Sequence, residues 1–429
     1  MKILSFLHHE GITEDIFKRA SLSPEILDDV DLQIQVDNTL NDIGKEGSKW
    51  NSFLFQELIG DIKSYSLIEF DKQNQFYSIH PLVQQWSIWT LNQKQNNIQK
   101  CVLGIIGLSI SWNMNRDDYK YRHNIVQHIR SCIRVFKPQE IDILIAKNIA
   151  YAYWEKGQWK EAAALAVVVV EKAKHALGEE HLHTLISISN LAVTYQYMGQ
   201  WKEAEALQVV VMEKTKHLLG DEHPGTLTSI SNLALTYQYI GQWKEAEALQ
   251  VVVMEKTKHL LGEEHPDTLT SMSNLALTFR KMGQWKEAKA LQVVVMEKRK
   301  HLLGEEHPDT LTSMSNLAVT YQDMGQWKEA EALQVVEMEK SKHLLGEEHP
   351  HTLTSMSNLA TTYSEQDRWK EAEALQVVVM EKSKHVLGEE HPDTLIRMEN
   401  LAVTYRAQSR WKEAKALEVV VMEKTKHSL

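Results

Sequence analysis

Apolar residues return at spacings of three and four along most of this chain, interrupted at regular intervals by glycine. In residues 226–267, Leu227, Ile230, Leu233, Ala234, Tyr237 and Ile240 share one helical face. Gly241 is suited to end that helix. A second helix is predicted from near Trp243, with Trp243, Ala246, Leu249, Val252 and Val253 on its apolar stripe. Lys256, Lys258 and His259 fall in its last turns, where cations favour the helix dipole. Gly262 stops it, and Pro266 opens the next first helix, where a missing N–H costs nothing. The run Val251–Val253 is poor helix material by propensity, but its neighbours at helical spacing outvote a strand.

The pair is one unit written repeatedly. Trp159, Trp201, Trp243, Trp285, Trp327, Trp369 and Trp411 stand 42 residues apart. One histidine series keeps the same step from His175 to His427, another from His181 to His391, and a proline series from Pro224 to Pro392. A lone helix pair leaves an apolar face bare, so about seven units over 142–429 are expected to stack into an α-solenoid. An indole burying roughly 150–250 Å² at about 25 cal/mol per Å² contributes on the order of 4–6 kcal/mol gross, so the repeated Trp is expected to anchor the core.

Composition narrows the classes. Two cysteines, Cys101 and Cys132, exclude a disulfide framework and suit a reducing, cytoplasmic setting. A net charge of −11, most of it in the array, disfavours nucleic acid and anionic membrane as partners. The longest apolar run, Cys101–Trp112, is too short to span a membrane and reads as a buried helix. No nucleophile elbow or Cys-His context is present, so no enzyme activity, cofactor or metal is expected. The recurring pair His217 and His223 has only Asp221 and Glu222 beside it and reads as turn structure rather than a metal site.

Asn232, Leu233, Ala234, Tyr237, Gly241, Trp243 and Ala246 keep the spacing of the tetratricopeptide repeat signature, which the unit resembles. Its length and its LGEEHPDTL connector look like the kinesin-light-chain variety. Gln250 departs from that pattern, which usually has an aromatic there; it is expected to loosen packing or to face a partner. The copies differ mainly near the end of the first helix. One position reads Glu155, Tyr197, Tyr239, Lys281, Asp323, Glu365 and Ala407. Four residues earlier stand Tyr151, Val193, Leu235, Leu277, Val319, Thr361 and Val403, on the same helical face. The resemblance implies that this face lines a concave groove. It also implies that Asn148, Asn190, Asn232, Asn274, Asn316, Asn358 and Asn400 match the asparagine that binds peptide backbone. The expected function is therefore recognition of an extended peptide. The asparagine ladder would supply backbone bonds of about 0.5–1.5 kcal/mol each, and the variable stripe selectivity. Drift at exposed positions and purely local asparagine contacts are the competing readings. A carboxylate clamp is not expected, because Thr270 and Thr312 stand where basic residues would be needed.

The first 141 residues lack the repeat. ITEDIFKRAS and LFQELIGDIKSYSLIEF read as helices, the second running into a strand, and FDKQNQFYSIHPLVQQW as a hairpin turned at 71–74 followed by a helix from Pro81. This is a winged-helix order over 1–90, with a helical linker over 91–141 in which WNMNRDDYKYR is expected to form a loop. IKSYSLI and FYSIHPLVQQW resemble the winged-helix module that follows the nucleotide-binding core of STAND NTPases, the NB-ARC and NACHT (NOD-like) receptors. By that resemblance His80 stands at the histidine that senses bound diphosphate; capping or packing at the strand-to-helix junction is its plain alternative. The only Gly-Lys, Gly44-Lys45, does not fit a P-loop, so the sequence reads as the sensor portion of such a receptor, or a gene fragment, without the NTPase core. A free-standing kinesin-light-chain-like cargo adaptor is the alternative. A DNA-binding winged helix is disfavoured, since only Lys63 lies in the candidate recognition helix. The expected ligand is a neutral-to-basic peptide. Fraying or self-association is expected at the Trp411 unit, with Val420 and Val421 partly bare.

Overall fold

The computed structural model describes residues 1–91, 95–113, 116–134 and 136–428. It is mainly helical, with stacked helix pairs preceded by a small α+β region, and divides into two compact units, 1–198 and 199–429.

The first unit opens with a 3₁₀ turn at Leu4–Phe6, then α1 (Glu14–Leu22) and α2 (Val30–Ile43). A short hairpin of β1 (Lys45–Glu46) and β2 (Lys49–Trp50) follows, which the pattern of apolar positions did not announce. Next come α3 (Ser52–Ser64), the antiparallel pair β3 (Ile68–Asp71) and β4 (Phe76–Ile79), and α4 (Pro81–Trp89). The expected helix–hairpin–helix order is therefore present. Asp71 turns the hairpin by accepting from the amides of Gln73 and Asn74 at 2.8 and 3.2 Å. On β4's other side the N-terminal segment adds a bridge: Ile12 and Tyr77 exchange backbone bonds of 3.1 and 2.7 Å.

The apolar run becomes α5 (Gln95–Ser109), buried along its C-terminal two-thirds. A Cβ at Gly104 would lie 2.8 Å from Val36, and one at Gly107 would lie 3.0 Å from Ile145, so glycine lets α2 and α7 (Ile143–Glu155) close on α5. The expected loop WNMNRDDYKYR needs correction. Residues 114–115 lie outside those described, but α6 (Arg116–Ile133) already runs through its second half. Asp117 and Asp118 sit in the first turn, where the dipole favours them. Asp118 pairs with Arg19, and Tyr121 and Arg122 are buried. With α8 (Trp159–Leu177) and α9 (Leu182–Tyr197), these elements complete the unit, and one apolar core runs from Leu4 to Val169.

The second unit is built of second helices α10 (Trp201–Leu219), α12 (Trp243–Leu261), α14 (Trp285–Leu303), α16 (Trp327–Leu345), α18 (Trp369–Leu387) and α20 (Trp411–Ser428). They alternate with first helices α11 (Pro224–Ile240), α13 (Pro266–Lys281), α15 (Pro308–Asp323), α17 (Pro350–Glu365) and α19 (Pro392–Ala407). The histidine before each proline is an N-cap: Nδ1 of His223, His265, His307, His349 and His391 accepts from the amide two residues on, at 3.0–3.2 Å. That accounts for one histidine series.

Three expectations about packing change. The repeated Trp is not the core anchor. It opens the second helix and is half-buried at Trp159, Trp201, Trp243, Trp327 and Trp369, while Trp285 is 43% exposed and Trp411 62%. Trp201 instead stacks on Tyr239, ring centroids 5.4 Å apart. The residue of that stripe buried in every copy is the alanine three residues on, Ala246 and its equivalents. Of the valines, Val253 is buried while Val252 faces solvent. Gln250, finally, neither loosens packing nor faces a partner: it is 2% exposed. Gln238 Nε2 donates to Thr278 Oγ1 at 2.5 Å, and that hydroxyl donates to Gln250 Oε1, joining two successive units. Thr362 repeats the arrangement with Gln322 and Gln334, at 2.6 and 2.5 Å. A polar bridge replaces the aromatic contact.

Candidate functional site

The first helices of the second unit abut through the asparagine face. Asn274 Nδ2 donates to Ser231 at 3.4 Å and Asn358 Nδ2 to Ser315 at 3.3 Å, each reaching the preceding first helix. Asn232, Asn274, Asn316, Asn358 and Asn400 are all half-buried. Beside them Tyr239, Lys281, Asp323 and Glu365 are exposed, and so are Thr361 and Val403, while Leu235, Leu277 and Val319 are half-buried. The positions at which the copies differ therefore form an accessible stripe flanked by a row of amides. Asp323 is partly committed, since Arg280 Nη1 donates to it at 2.9 Å.

The corresponding positions of the first unit are used differently. Asn148 is fully buried and spends its amide internally: Nδ2 donates to Gly107 O at 3.1 Å and Glu25 Oε2 at 2.9 Å, and Oδ1 accepts from Trp112 Nε1 at 2.8 Å. That is incompatible with a peptide-binding role for Asn148, and it follows from a tryptophan outside the repeat that no spacing rule singles out. Glu155 likewise leaves the variable stripe. Arg122, 1% exposed, donates to its two oxygens at 2.6 and 2.8 Å and to the carbonyls of Ser111 and Asn113. A buried guanidinium needs such partners. Tyr151 Oη also donates to Glu155, and burial together with that neighbouring carboxylate pushes the phenol up to about 12.

These contacts frame a cavity of about 500 Å³ in the first unit. Its walls come from α7, α8 and α9 and from the segments holding Ile26, Asp28 and Trp112. Trp112 stacks on Tyr151 at 4.3 Å, nearly parallel, and Lys147 Nζ lies 4.9 Å over the Trp112 ring. Trp154 forms another wall and meets Tyr197 edge-on at 5.1 Å. Of the expected groove residues, the structure brings Asn190, exposed, and Val193, half-buried, to this cavity. Tyr197 is exposed beside it, held by Trp154 and Trp159. Burial first, and the charge of Asp142 second, raise the pKa of the Asp28 carboxyl.

His80 is the N-cap of α4, exposed, with Nδ1 accepting from Leu82 N at 3.2 Å. The chemistry on view is the plain capping alternative. Among the described residues no helix is long and apolar enough to cross a membrane.

The tetratricopeptide repeat profile matches seven consecutive segments, 145–183, 184–225, 226–267, 268–309, 310–351, 352–393 and 394–429. Among solved structures, a Podosopora anserina protein described as a kinesin light chain with nearly identical TPR-like repeats is 34% identical, covering 47% of this chain and 95% of its own (TM-score 0.41). The apo form of the quorum sensor NprR from B. thuringiensis is 14% identical over 92% of this chain and 99% of its own (TM-score 0.50). A signal transduction ATPase with numerous domains and a tetratricopeptide repeat sensor, from Pyrococcus horikoshii, is 13% identical over 96% of this chain and 62% of its own (TM-score 0.45). No curated protein matches significantly.

Proposed function

Because this chain belongs to the tetratricopeptide repeat family, we propose that it is a non-catalytic scaffold that binds an extended peptide or protein segment along its first helices. The observation that carries the reading is where the near-identical copies differ. In the second unit Tyr239, Lys281, Asp323 and Glu365 are all exposed, on one stripe, beside half-buried asparagines, and in the first unit Tyr197 is exposed as Asn190 is. Selectivity needs variation at accessible positions and constancy elsewhere. In this reading Asn190, Asn232, Asn274, Asn316, Asn358 and Asn400 bond the ligand backbone, and Val193, Leu235, Leu277, Val319 and Thr361 contact its side chains.

The scaffold is best placed as the sensor half of a STAND-type receptor, acting from the cytoplasm. The helix–hairpin–helix of α3, β3, β4 and α4 supports this as a winged helix, with 91–141 joining it to the repeats. A free-standing cargo adaptor of the kinesin-light-chain kind is the second reading. A P-loop in the genomic reading frame upstream of Met1 would support the receptor, and a coiled-coil heptad segment there the adaptor. Self-association through α20 is a further partner reading: Val421, expected partly bare, is instead 6% exposed in a cluster with Met398 and Leu401, but Trp411 and Met422 are exposed; a monomer by light scattering at high concentration would remove it.

The groove reading is tested on an unbiased array of synthetic peptides. Substituting Asn232, Asn274 and Asn316 together by Ala is expected to weaken every captured peptide by at least about tenfold, since three bonds of about 0.5–1.5 kcal/mol are removed. Unchanged affinities would refute it.

A further inference from the structure

We propose that the cavity of the first unit takes a segment in which a large apolar side chain is followed by lysine or arginine, the apolar group against Trp154 and Ile143 and the cation against Asp28. This rests on the scaffold reading and narrows it to one ligand chemistry.

A volume of about 500 Å³ falls within the roughly 300–1,000 Å³ of sites that enclose a ligand. Its walls are apolar at Ile143, Leu144, Trp154 and Val193. Ile26 and Ile186 stand at it 74% and 55% exposed, side chains that an apolar ligand group would remove from water. Asp28 has no hydrogen-bond partner among the described residues, although it lines the cavity. Behind it lies Asp142, which caps α7 by accepting from Leu144 N at 2.8 Å. Partial desolvation and the charge of Asp142 raise the pKa of the Asp28 carboxyl against the opposing pull of Lys172, so a ligand cation there would offset what remains.

Lys172 offsets part of that through space, but among the described residues no lysine hydrogen-bonds Asp28. Lys172 gives its ammonium to the Ile141 carbonyl at 2.5 Å, and Lys147 lies over Trp112. Those partners leave Asp28, the carboxylate of the cavity lining, without a hydrogen-bond partner among the described residues and open to a ligand cation. Lys147 is the feature that an acidic ligand would use instead, which the experiment separates.

The probes are fluorescein-labelled decapeptides with Ser-Gly flanks and the centres Leu-Trp-Lys-Lys, Leu-Trp-Glu-Glu and Ser-Ser-Lys-Lys, titrated into the full chain by anisotropy. The apolar–basic peptide is expected to bind at least about tenfold more tightly than either other. Asp28→Asn should reduce that preference and Asp28→Lys abolish it. Asp28 is exposed, outside any helix or strand, so both variants should keep the parent circular dichroism and thermal midpoint. Equal or tighter binding of the Leu-Trp-Glu-Glu peptide, or a preference unchanged in Asp28→Lys, would overturn the proposal. The peptide array separates the two levels. Captured peptides that respond to the asparagine substitutions but show no apolar–basic enrichment sink this proposal alone. An array that captures nothing sinks the scaffold reading with it.

Discussion

Single residues carry the clearest departures from the repeat pattern. Thr278 bridges Gln238 and Gln250 in the interior between two units. Thr278→Val leaves both amides short of a buried partner, a cost of about 1–3 kcal/mol in urea unfolding. Adding Gln250→Leu should recover part of it, because replacing both partners avoids an orphaned group. A double variant less stable than the single would contradict the bridge. His128 gives a pH signature. It is buried between His8 N and Gly11 O, each at 3.0 Å, and burial lowers its pKa to about 4. An unfolded imidazole titrates near 6.5, so between those values the unfolded chain binds a proton that the fold refuses. This contribution is complete above about pH 6.5 and falls by about 3 kcal/mol as the pH drops to about 4. Amide exchange of α6 at pH 7 and pH 4.5 should show the loss, and His128→Gln should flatten it; identical pH dependence in both proteins would contradict it. Neither site was legible beforehand. Gln250 reads as loosening packing or facing a partner because the residue it meets belongs to the next copy, and nothing singles out His128, whose partners are backbone atoms more than a hundred residues away.

At the scale of elements, period and punctuation were sufficient for the pairs. Apolar spacing placed both helices of each unit, and Gly241 and Pro266 stand where the reading put them. What the period could not assign was which side of a stripe faces a neighbour. Trp243 and Val252 share a face with Ala246 and Val253 on a helical wheel, yet only the alanine and Val253 are buried. The connector also hides a function in stacking. Glu305 is held by Lys300 of its own unit at 2.5 Å and by Lys340 of the next at 2.7 Å. Lys258 and Lys298 hold Glu263, and Lys342 and Lys382 hold Glu347. The paired ammonium groups lower Glu305 and Glu347 to about 2. Carboxyls depressed in the fold stabilise it above their unfolded pKa and lose that contribution as the pH falls towards about 2. Substituting Glu263, Glu305 and Glu347 together by Gln should lower the thermal midpoint at low salt. The difference should vanish near roughly 1 M salt, where the screening length is about 3 Å. A salt-independent difference would place the effect in packing instead.

For the whole molecule, the repeat made the fold legible and left function to the few positions that escape it. Asn148 matches the groove pattern by spacing but is locked by Trp112 and Gly107, so one rung of the expected ladder is structural. The cavity beside it is invisible to periodicity, because Asp28 and Trp112 come from the non-repetitive region and reach α7 only through the fold. The central claim is that a peptide lies along the first helices of the stacked pairs. The most direct measurement is differential hydrogen–deuterium exchange with the tightest peptide from the array. Protection is predicted in α11, α13 and α15, around Asn232, Asn274 and Asn316, with α12, α14 and α16 unchanged. Protection confined to the second helices, or none in either set at saturating peptide, would contradict it.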